Sequence, residues 1–499
     1  MLELKGITKR FPGVLANDDV SLTVGAGEVV ALLGENGAGK TTLMNVLYGL
    51  YKPDSGTVSI DGHQVEFTSS RDAIAAGIGM VHQHFMLVPV FTVAENVILG
   101  QEPSGAFGLI DENAARQTVR EISERYGLQV DPDAVIEDLP VGIQQRVEII
   151  KVLNREARYV IFDEPTSVLT PQEVEEFFEI VRGLRADGKG IIFITHKLGE
   201  ALELSDRVVV LRGGRKVDER VSKEMDEQEC ADLMVGRPVE LVVPKNLSAP
   251  GAAVLGVKDL VVLDDRNNSA VDGVTFEVKS GEIVGIAGVQ GNGQTELIEA
   301  IMGLRPSLAG TVSLGGKDVT DYTPRELHEA GVSHIPEDRQ ESGLVLGFTV
   351  AENMVLDSYY EPPFSRGVFM DWDATNEAAR RLITQYDVRT PGIEVPVSHL
   401  SGGNQQKVIV AREFDREIRL VVASQPTRGI DVGSIEYIHS QIVAKRDDGS
   451  AVLVVSSELD EVLALSDRIL VLYHGRIAGE FSPADSITDI GLAMLGSAP

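Results

Sequence analysis

Lys40 and Thr41 close the stretch Gly34-Glu35-Asn36-Gly37-Ala38-Gly39-Lys40-Thr41, where glycines, a cation and a hydroxyl stand in the order G-x-x-x-x-G-K-[ST]. Glycines in such a loop let backbone N–H groups approach an anion, and the N-terminus of a following helix adds donors. The chemistry that suits this order is binding of nucleotide phosphates. Lys40 would reach the outer phosphates, and the Thr41 hydroxyl would serve Mg²⁺. Thr42 opens the run 42–47, which reads as a helix, and joins the set of phosphate contacts. Gly288-Val289-Gln290-Gly291-Asn292-Gly293-Gln294-Thr295 repeats the order with glutamine in place of lysine.

A second group of side chains could act on a phosphate held there. Tyr159-Val160-Ile161-Phe162-Asp163-Glu164 is an apolar run ending in two carboxylates. Asp163 can hold Mg²⁺, directly or through water, and Glu164 can polarise an attacking water. His196 follows the apolar run 191–195 and could contact the terminal phosphate or orient Glu164 and its water; a histidine at a strand end also serves as an ordinary hydrogen-bonding residue. Gln83 follows Ile78-Gly79-Met80-Val81-His82 and could sense Mg²⁺ or the nucleophile, or be a solvated amide. Phe11, in Arg10-Phe11-Pro12-Gly13, could stack on adenine or be a plain loop aromatic.

These residues need elements that carry them to one place. Short β-branched runs alternate with helical stretches, which predicts a mostly parallel sheet covered on both faces. Each half of the chain opens strand-rich with Gly-Glu turns, predicting a small β subdomain. Residues from about 84 to 155 and about 338 to 415 carry longer helical stretches, such as Glu112 to Arg125. A chain of 499 residues suits two domains of about 250 residues each.

The order of the repeats supports that division. Val20-Ser21-Leu22-Thr23-Val24 with Gly27-Glu28 returns as Val274-Thr275-Phe276-Glu277-Val278 with Gly281-Glu282. Phe91-Thr92-Val93-Ala94-Glu95-Asn96 returns unchanged as Phe348-Thr349-Val350-Ala351-Glu352-Asn353, and Leu204-Ser205-Asp206-Arg207 as Leu465-Ser466-Asp467-Arg468. This is a tandem duplication. The expected boundaries are 1–236 for the first domain, 237–253 for an extended connector with prolines at 238, 244 and 250, and 254–499 for the second.

Composition limits the function classes. Forty-five Lys and Arg stand against 76 Asp and Glu, a net charge of −31. That argues against a nucleic-acid binder relying on phosphate neutralisation, but not against a loop with local donors for a nucleotide. One cysteine, Cys230, rules out an internal disulfide framework. No apolar run approaches the ~20 residues that span a bilayer, and the charged start Met1-Leu2-Glu3-Leu4-Lys5 lacks a signal-peptide core. The expectation is a soluble, cytoplasmic protein.

The ordered set resembles the ATP-binding cassette family. It supplies a Walker A loop at 34–41, a Gln loop at Gln83, a Walker B strand at 159–164 and a switch histidine at His196. His399-Leu400-Ser401-Gly402-Gly403-Asn404-Gln405-Gln406 is similar to the family's signature motif. The resemblance implies two tandem P-loop ATPase domains of α/β class, each with a mostly parallel sheet core, a small antiparallel β subdomain and a helical subdomain. It implies ATP and Mg²⁺ as cofactors. It also implies that Ser401, Gly402, Gly403 and Asn404 face the other cassette's Walker A loop, with Asp431 completing that site.

Aligning the halves pairs Lys40 with Gln294, Gln83 with Glu337, Asp163 with Ser424, Glu164 with Gln425, His196 with Ser457 and Phe11 with Asp265. Removing one cation beside a phosphate forfeits at most ~4 kcal/mol of attraction at an effective dielectric near 20. Gln425 cannot act as a carboxylate base. The signatures are degraded in the opposite half: the first reads Leu139-Pro140-Val141-Gly142-Ile143-Gln144-Gln145, and Thr170 stands opposite Asp431. The expectation is one hydrolytic composite site and one impaired site per chain.

Tandem cassettes with a degenerate second half are similar to the ATPase subunits of bacterial importers for simple sugars and nucleosides. The stretches 80–89 and 141–148 are closer to the nucleoside branch. The resemblance implies two transmembrane permease subunits, an extracytoplasmic substrate-binding protein or lipoprotein, no nucleic acid, and a peripheral position on the cytoplasmic face of the inner membrane. The competing reading is a soluble tandem-cassette protein acting on ribosomes or DNA. Those similar to translation factors have a long charged linker and two complete sites, and DNA-repair relatives carry zinc-binding cysteines or coiled-coil insertions.

Overall fold

The computed structural model describes residues 1–82, 85–103, 110–166, 169, 171–240, 243–246 and 248–496. The chain divides into two compact units, Met1–Val239 and Glu240–Pro499.

In the first unit, the strands Val29–Leu33, Tyr159–Asp163, Gly190–Ile194 and Ile78–Val81 are buried along their whole length. Apolar runs without alternation suit a parallel sheet covered on both faces. Their sheet has the order Arg215–Val221, Arg207–Arg212, Val29–Leu33, Gly190–Ile194, Tyr159–Asp163, Ile78–Val81. All pairs are parallel except the hairpin formed by the first two strands. A four-stranded antiparallel sheet, Val14–Val24, Leu2–Phe11, Ser55–Ile60, His63–Val65, forms the small β layer. The helices Val93–Ile98, Glu112–Tyr126 and Val141–Asn154 form the helical layer.

The second unit repeats this plan. Its six-stranded sheet runs Val332–Ile335, Leu420–Ser424, Ala451–Ser456, Ile283–Ala287, Arg468–Tyr473, Arg476–Phe481. Its antiparallel sheet runs Ser269–Lys279, Ala253–Leu263, Ala309–Leu314, Lys317–Asp318. The helical layer holds Val350–Met354, Trp372–Gln385 and Gly402–Phe414, with a short hairpin of Ser365–Arg366 and Phe369–Met370. The expected α/β architecture is present twice.

Repeated polar residues explain how the layers join. Asp206 accepts from Val29 N at 3.0 Å, and Arg207 pairs with Glu28 while donating to Thr23 O at 2.8 Å. Asp467 accepts from Ile283 N at 2.9 Å, and Arg468 pairs with Glu282 while donating to Glu277 O at 2.7 Å. Each Asp-Arg pair thereby pins the start of the central strand to the β layer. The unchanged hexapeptide has a similar cause. Thr92 and Glu95, and likewise Thr349 and Glu352, form capping boxes. Asn96 and Asn353, both fully buried, clip the preceding turn by bonding both backbone groups of Val88 and Val345.

Lys245, Asn246 and Ser248 pack within the second unit. Lys245 Nζ donates to Leu465 O and Ser466 O at 3.0 and 2.9 Å, Asn246 bonds Asp447 at 2.7 Å, and Ser248 donates to Gly281 O. Gly236, left-handed at φ 86°, caps the helix Glu227–Val235 that precedes it. Cys230 is free and buried. Among the described residues, no helix is long and apolar enough to cross a membrane.

Candidate active site

The buried strand Val29–Leu33 delivers the chain to the phosphate loop, and the helix Lys40–Leu47 begins directly after it. Gly39 has φ 101°, and a Cβ there would lie 2.3 Å from Ala16 O, so no other residue fits. Lys40 is 7% exposed, and its ammonium donates to Gly34 O at 2.5 Å and Glu35 O at 3.1 Å. Burial pushes the Lys40 pKa down, against the pull of Glu164 and Asp163. A terminal phosphate offers this ammonium a charged acceptor in place of neutral carbonyls. Thr41 is exposed beside it, Thr42 follows in the same helix, and Glu35, Asn36 and Ala38 complete the loop.

Asp163 and Glu164 end the neighbouring region of the sheet. Asp163 is 9% exposed, and burial, then the adjacent Glu164 carboxylate, push it up to about 6. Burial also pushes Glu164 upward, but the bond and charge of His196, with Lys40 and Lys197, outweigh it and hold Glu164 below its usual range. His196 Nδ1 lies 3.5 Å from Glu164 Oε2, between the strand Gly190–Ile194 and the helix Leu198–Leu204. The site therefore holds one carboxylate kept ionised and a second whose buried negative charge a divalent cation would relieve. Among the described residues, no three acidic, His or Cys side chains gather as a ready-made metal cage. The buried Asp163 carboxylate suits Mg²⁺, which takes one or two carboxylates and leaves its other positions to phosphates and water.

The structure thus brings Lys40, Asp163, Glu164 and His196 together. Phe11 ends the strand Leu2–Phe11 and packs edge-on against Tyr51, with ring centroids 5.3 Å apart. Gln83 and Thr170 lie outside the described residues.

In the second unit the same positions are occupied and chemically spent. Gln294 Nε2 donates to Val289 O at 3.0 Å, and its Oε1 accepts from Asn292 N at 3.1 Å. Gln425 Oε1 accepts from Ser457 N and Oγ, both at 3.2 Å. Ser424 is buried at the strand end where Asp163 stands in the first unit. Asp265 forms an ion pair with Arg305 at 2.9 Å.

The signature segments differ in the opposite sense. Ser401 is the N-cap of the helix Gly402–Phe414, and its hydroxyl accepts from Asn404 Nδ2 at 2.9 Å. A Cβ at Gly403 would lie 2.1 Å from Ser434 Oγ, so close packing alone demands this glycine. Asp431 caps the helix Val432–Asp447 by accepting from Ser434 N at 2.8 Å. In the first unit Pro140 holds the N-cap position of the helix Val141–Asn154, and Val141 stands 45% exposed.

Two supporting features escaped sequence reasoning. Asn17, fully buried, donates to Gly39 O at 3.0 Å and clamps the loop, while its Oδ1 has no partner. Its signal was available: the duplicated position holds Val271. Thr166 donates to Glu200 beside His196, and Thr427 donates to Glu461 at 2.6 Å in the second unit. This clip persists where the chemistry has gone, so it belongs to the fold.

The sequence profile described as ABC transporter matches residues 17–167 and again 271–428. The chain belongs to this family. The two matched ranges correspond to two ABC cassettes, the first holding Lys40, Asp163 and Glu164 and the second Ser401, Gly402, Gly403 and Asn404. A nucleoside import ATP-binding protein of Lactococcus lactis is 50% identical, covering 99% of this chain and 98% of the relative. A guanosine import ATP-binding protein of Bacillus subtilis is also 50% identical, covering 100% and 98%. A ribose import ATP-binding protein of Rubrobacter xylanophilus is 43% identical, covering 100% and 98%. The solved RNase-L Inhibitor shares the fold at a TM-score of 0.63, with 18% identity over 99% of this chain and 93% of its own. As an ABC ATPase, this chain carries the expected resemblance over its full length.

Proposed function

We propose that this chain hydrolyses ATP with its first cassette to drive uptake of a nucleoside through a membrane permease. One observation carries the reading: Lys40, Asp163, Glu164 and His196 converge in the first unit, while Gln294, Ser424, Gln425 and Ser457 replace them in the second. Lys40 binds the outer phosphates. Glu164, held ionised, takes up the proton of the attacking water, and His196 keeps that carboxylate in place. Mg²⁺ supplies neutralisation of the phosphate charge, and Thr41, Asp163 and Gln83 would hold it. Ser401, Gly402, Gly403, Asn404 and Asp431 are the nucleotide-binding residues of the second cassette that the family resemblance implies.

The substrate class rests on relatives. Those named for nucleoside or guanosine import stand at 50% identity, against 43% for one named for ribose import. A simple sugar is the second reading on that ground. The working assembly has two permease subunits and an extracytoplasmic binding protein, with this chain on the cytoplasmic face of the membrane. Membranes solubilised in detergent test this. The chain should co-purify with a permease, and reconstituted vesicles should take up labelled guanosine in an ATP-dependent manner. Recovery with ribosomes and without permease would overturn the proposal, and uptake of ribose alone would reassign the cargo.

A further inference from the structure

The second phosphate loop is tied to its surroundings by charges that the first cassette lacks. Thr295 Oγ1 donates to Glu337 Oε2 at 3.2 Å, and the other Glu337 oxygen accepts from Arg428 Nη1 at 2.9 Å. Arg339 answers from the same segment as Glu337. Its Nη1 donates to Arg428 O at 2.7 Å and its Nη2 to Gly429 O at 3.4 Å. Asp338 accepts from Gln340 N and Glu341 N, fixing the turn that presents both neighbours. Arg339 also lies against the signature: a Cβ at Gly402 would stand 2.8 Å from its Nη2.

We infer that Glu337, Arg339 and Arg428 form a clasp that holds the second phosphate loop and the signature segment in register without a nucleotide. This rests on the reading of the first cassette as the hydrolytic site. The duplication supplies the comparison. The aligned positions in the first half are Gln83, Phe85 and Ser167, none of them charged. Three charges thus stand in the cassette that has Gln294, Ser424 and Gln425 opposite Lys40, Asp163 and Glu164.

Two side chains that a phosphate would meet already have partners. Gln294 is bonded at both ends within its loop, and the Thr295 hydroxyl is directed to a carboxylate. An anion fixed beside Thr295 also opposes entry of a polyphosphate. Arg428 is 52% exposed and Glu337 23%, so their ion pair alone contributes little. The clasp is effective because it joins four chain segments, at 295, 337–339, 428–429 and 402, in one network. Its effect is to keep Ser401 to Asn404 presented in a cassette that has no hydrolysis of its own to order it.

Equilibrium binding of Mg-ATP to the full-length chain tests the first consequence. One nucleotide per chain, lost in Lys40→Ala, is the expected result. Two per chain, one of them surviving Lys40→Ala, would overturn the clasp and leave the first-cassette reading standing. One per chain that survives Lys40→Ala would overturn both. Hydrogen exchange at amides 400–406 tests the second consequence. Glu337→Gln and Arg428→Ser should each speed exchange there several-fold, and the charge exchange Glu337→Arg with Arg428→Glu should restore protection. Unchanged exchange in both single variants, or no restoration in the double, would sink the proposal.

Discussion

Glu164 and Gln425 share one backbone conformation, left-handed at φ 49° and 48°, at the ends of equivalent parallel strands. Their N–H groups make equivalent bonds, to Ile194 O at 2.9 Å and Val455 O at 2.7 Å. A left-handed non-glycine residue costs on the order of 1–2 kcal/mol. That cost is borne in both cassettes, although only one retains the carboxylate. The backbone strain therefore belongs to the strand end, and the chemistry belongs to the side chain.

Glu164→Gln should accordingly leave the fold intact, since glutamine already occupies this conformation at 425. Turnover should fall by about 10²–10⁴-fold, the usual contribution of a positioned general base. Steady-state ATP hydrolysis by the assembled transporter, read beside the melting temperature of the variant, separates the two effects. Loss of folding with loss of activity would contradict the assignment.

Lys40→Ala should abolish ATP turnover, whereas Gln294→Ala should change it little. The ammonium of Lys40 has a charge to offer a phosphate, while both ends of the Gln294 amide are engaged within its own loop. Comparing the ATP-hydrolysis rates of the two variants with the parent decides the point. A large fall in Gln294→Ala would show that the second loop takes part in hydrolysis.

Asn17→Val installs the residue found at 271 and removes the clamp on Gly39 O. That carbonyl keeps its helical bond from Leu43 N, so the loss is one hydrogen bond worth about 1 kcal/mol. ATP affinity should fall by roughly fivefold with little change in the maximal rate. Titration with a fluorescent ATP analogue measures it.

His334 provides a pH-dependent test of stability in the second unit. Its Nε2 is buried without a partner, and burial lowers its pKa to about 4, with Glu413 opposing and Arg412 adding to the shift. The folded form is neutral where the unfolded chain already binds a proton. Stability is thus complete above the unfolded pKa near 6.5 and declines as pH falls towards 4. The decline amounts to roughly 3 kcal/mol at about 1.4 kcal/mol per unit. His334→Met, which copies Met80 of the first half, should remove most of it. Urea unfolding at pH 7.5 and 5 measures the slope; an identical decline in the variant would assign it elsewhere.

Asn353→Ala should destabilise the second unit by about 1–3 kcal/mol, because it removes the fully buried amide that bonds Val345 N, Val345 O and Thr349 O; Val345 N loses that acceptor, while Val345 O keeps its bond from Phe348 N. Chemical denaturation of the variant gives the value directly.

The chemistry of the first cassette was legible because it depends on residue type. A lysine, two carboxylates and a histidine at strand ends are few, and the duplication marked which of them the second half had lost. The helical boundaries were legible to within a residue or two: Glu112 to Arg125 is extended only by Tyr126. Asn17 carries no local signal as one asparagine in a β strand, and only its comparison with Val271 in the other half could single it out. The glycines of the signature were legible as a motif but not in their cause. Gly403 is required by Ser434 Oγ, a neighbour that no linear spacing discloses.

The sequence by itself determined the two-cassette α/β plan, the family, and the asymmetry between Lys40 and Gln294, since periodicity, repeat order and residue chemistry are local properties of the chain. Tertiary structure alone decided how charge is distributed around those residues. Burial raises Asp163 and lowers Lys40, His196 keeps Glu164 ionised, and Glu337 meets Thr295 and Arg428 across separate segments. Desolvation and through-space charge act between groups distant in sequence, so they exist only once the sheet has brought its strand ends together.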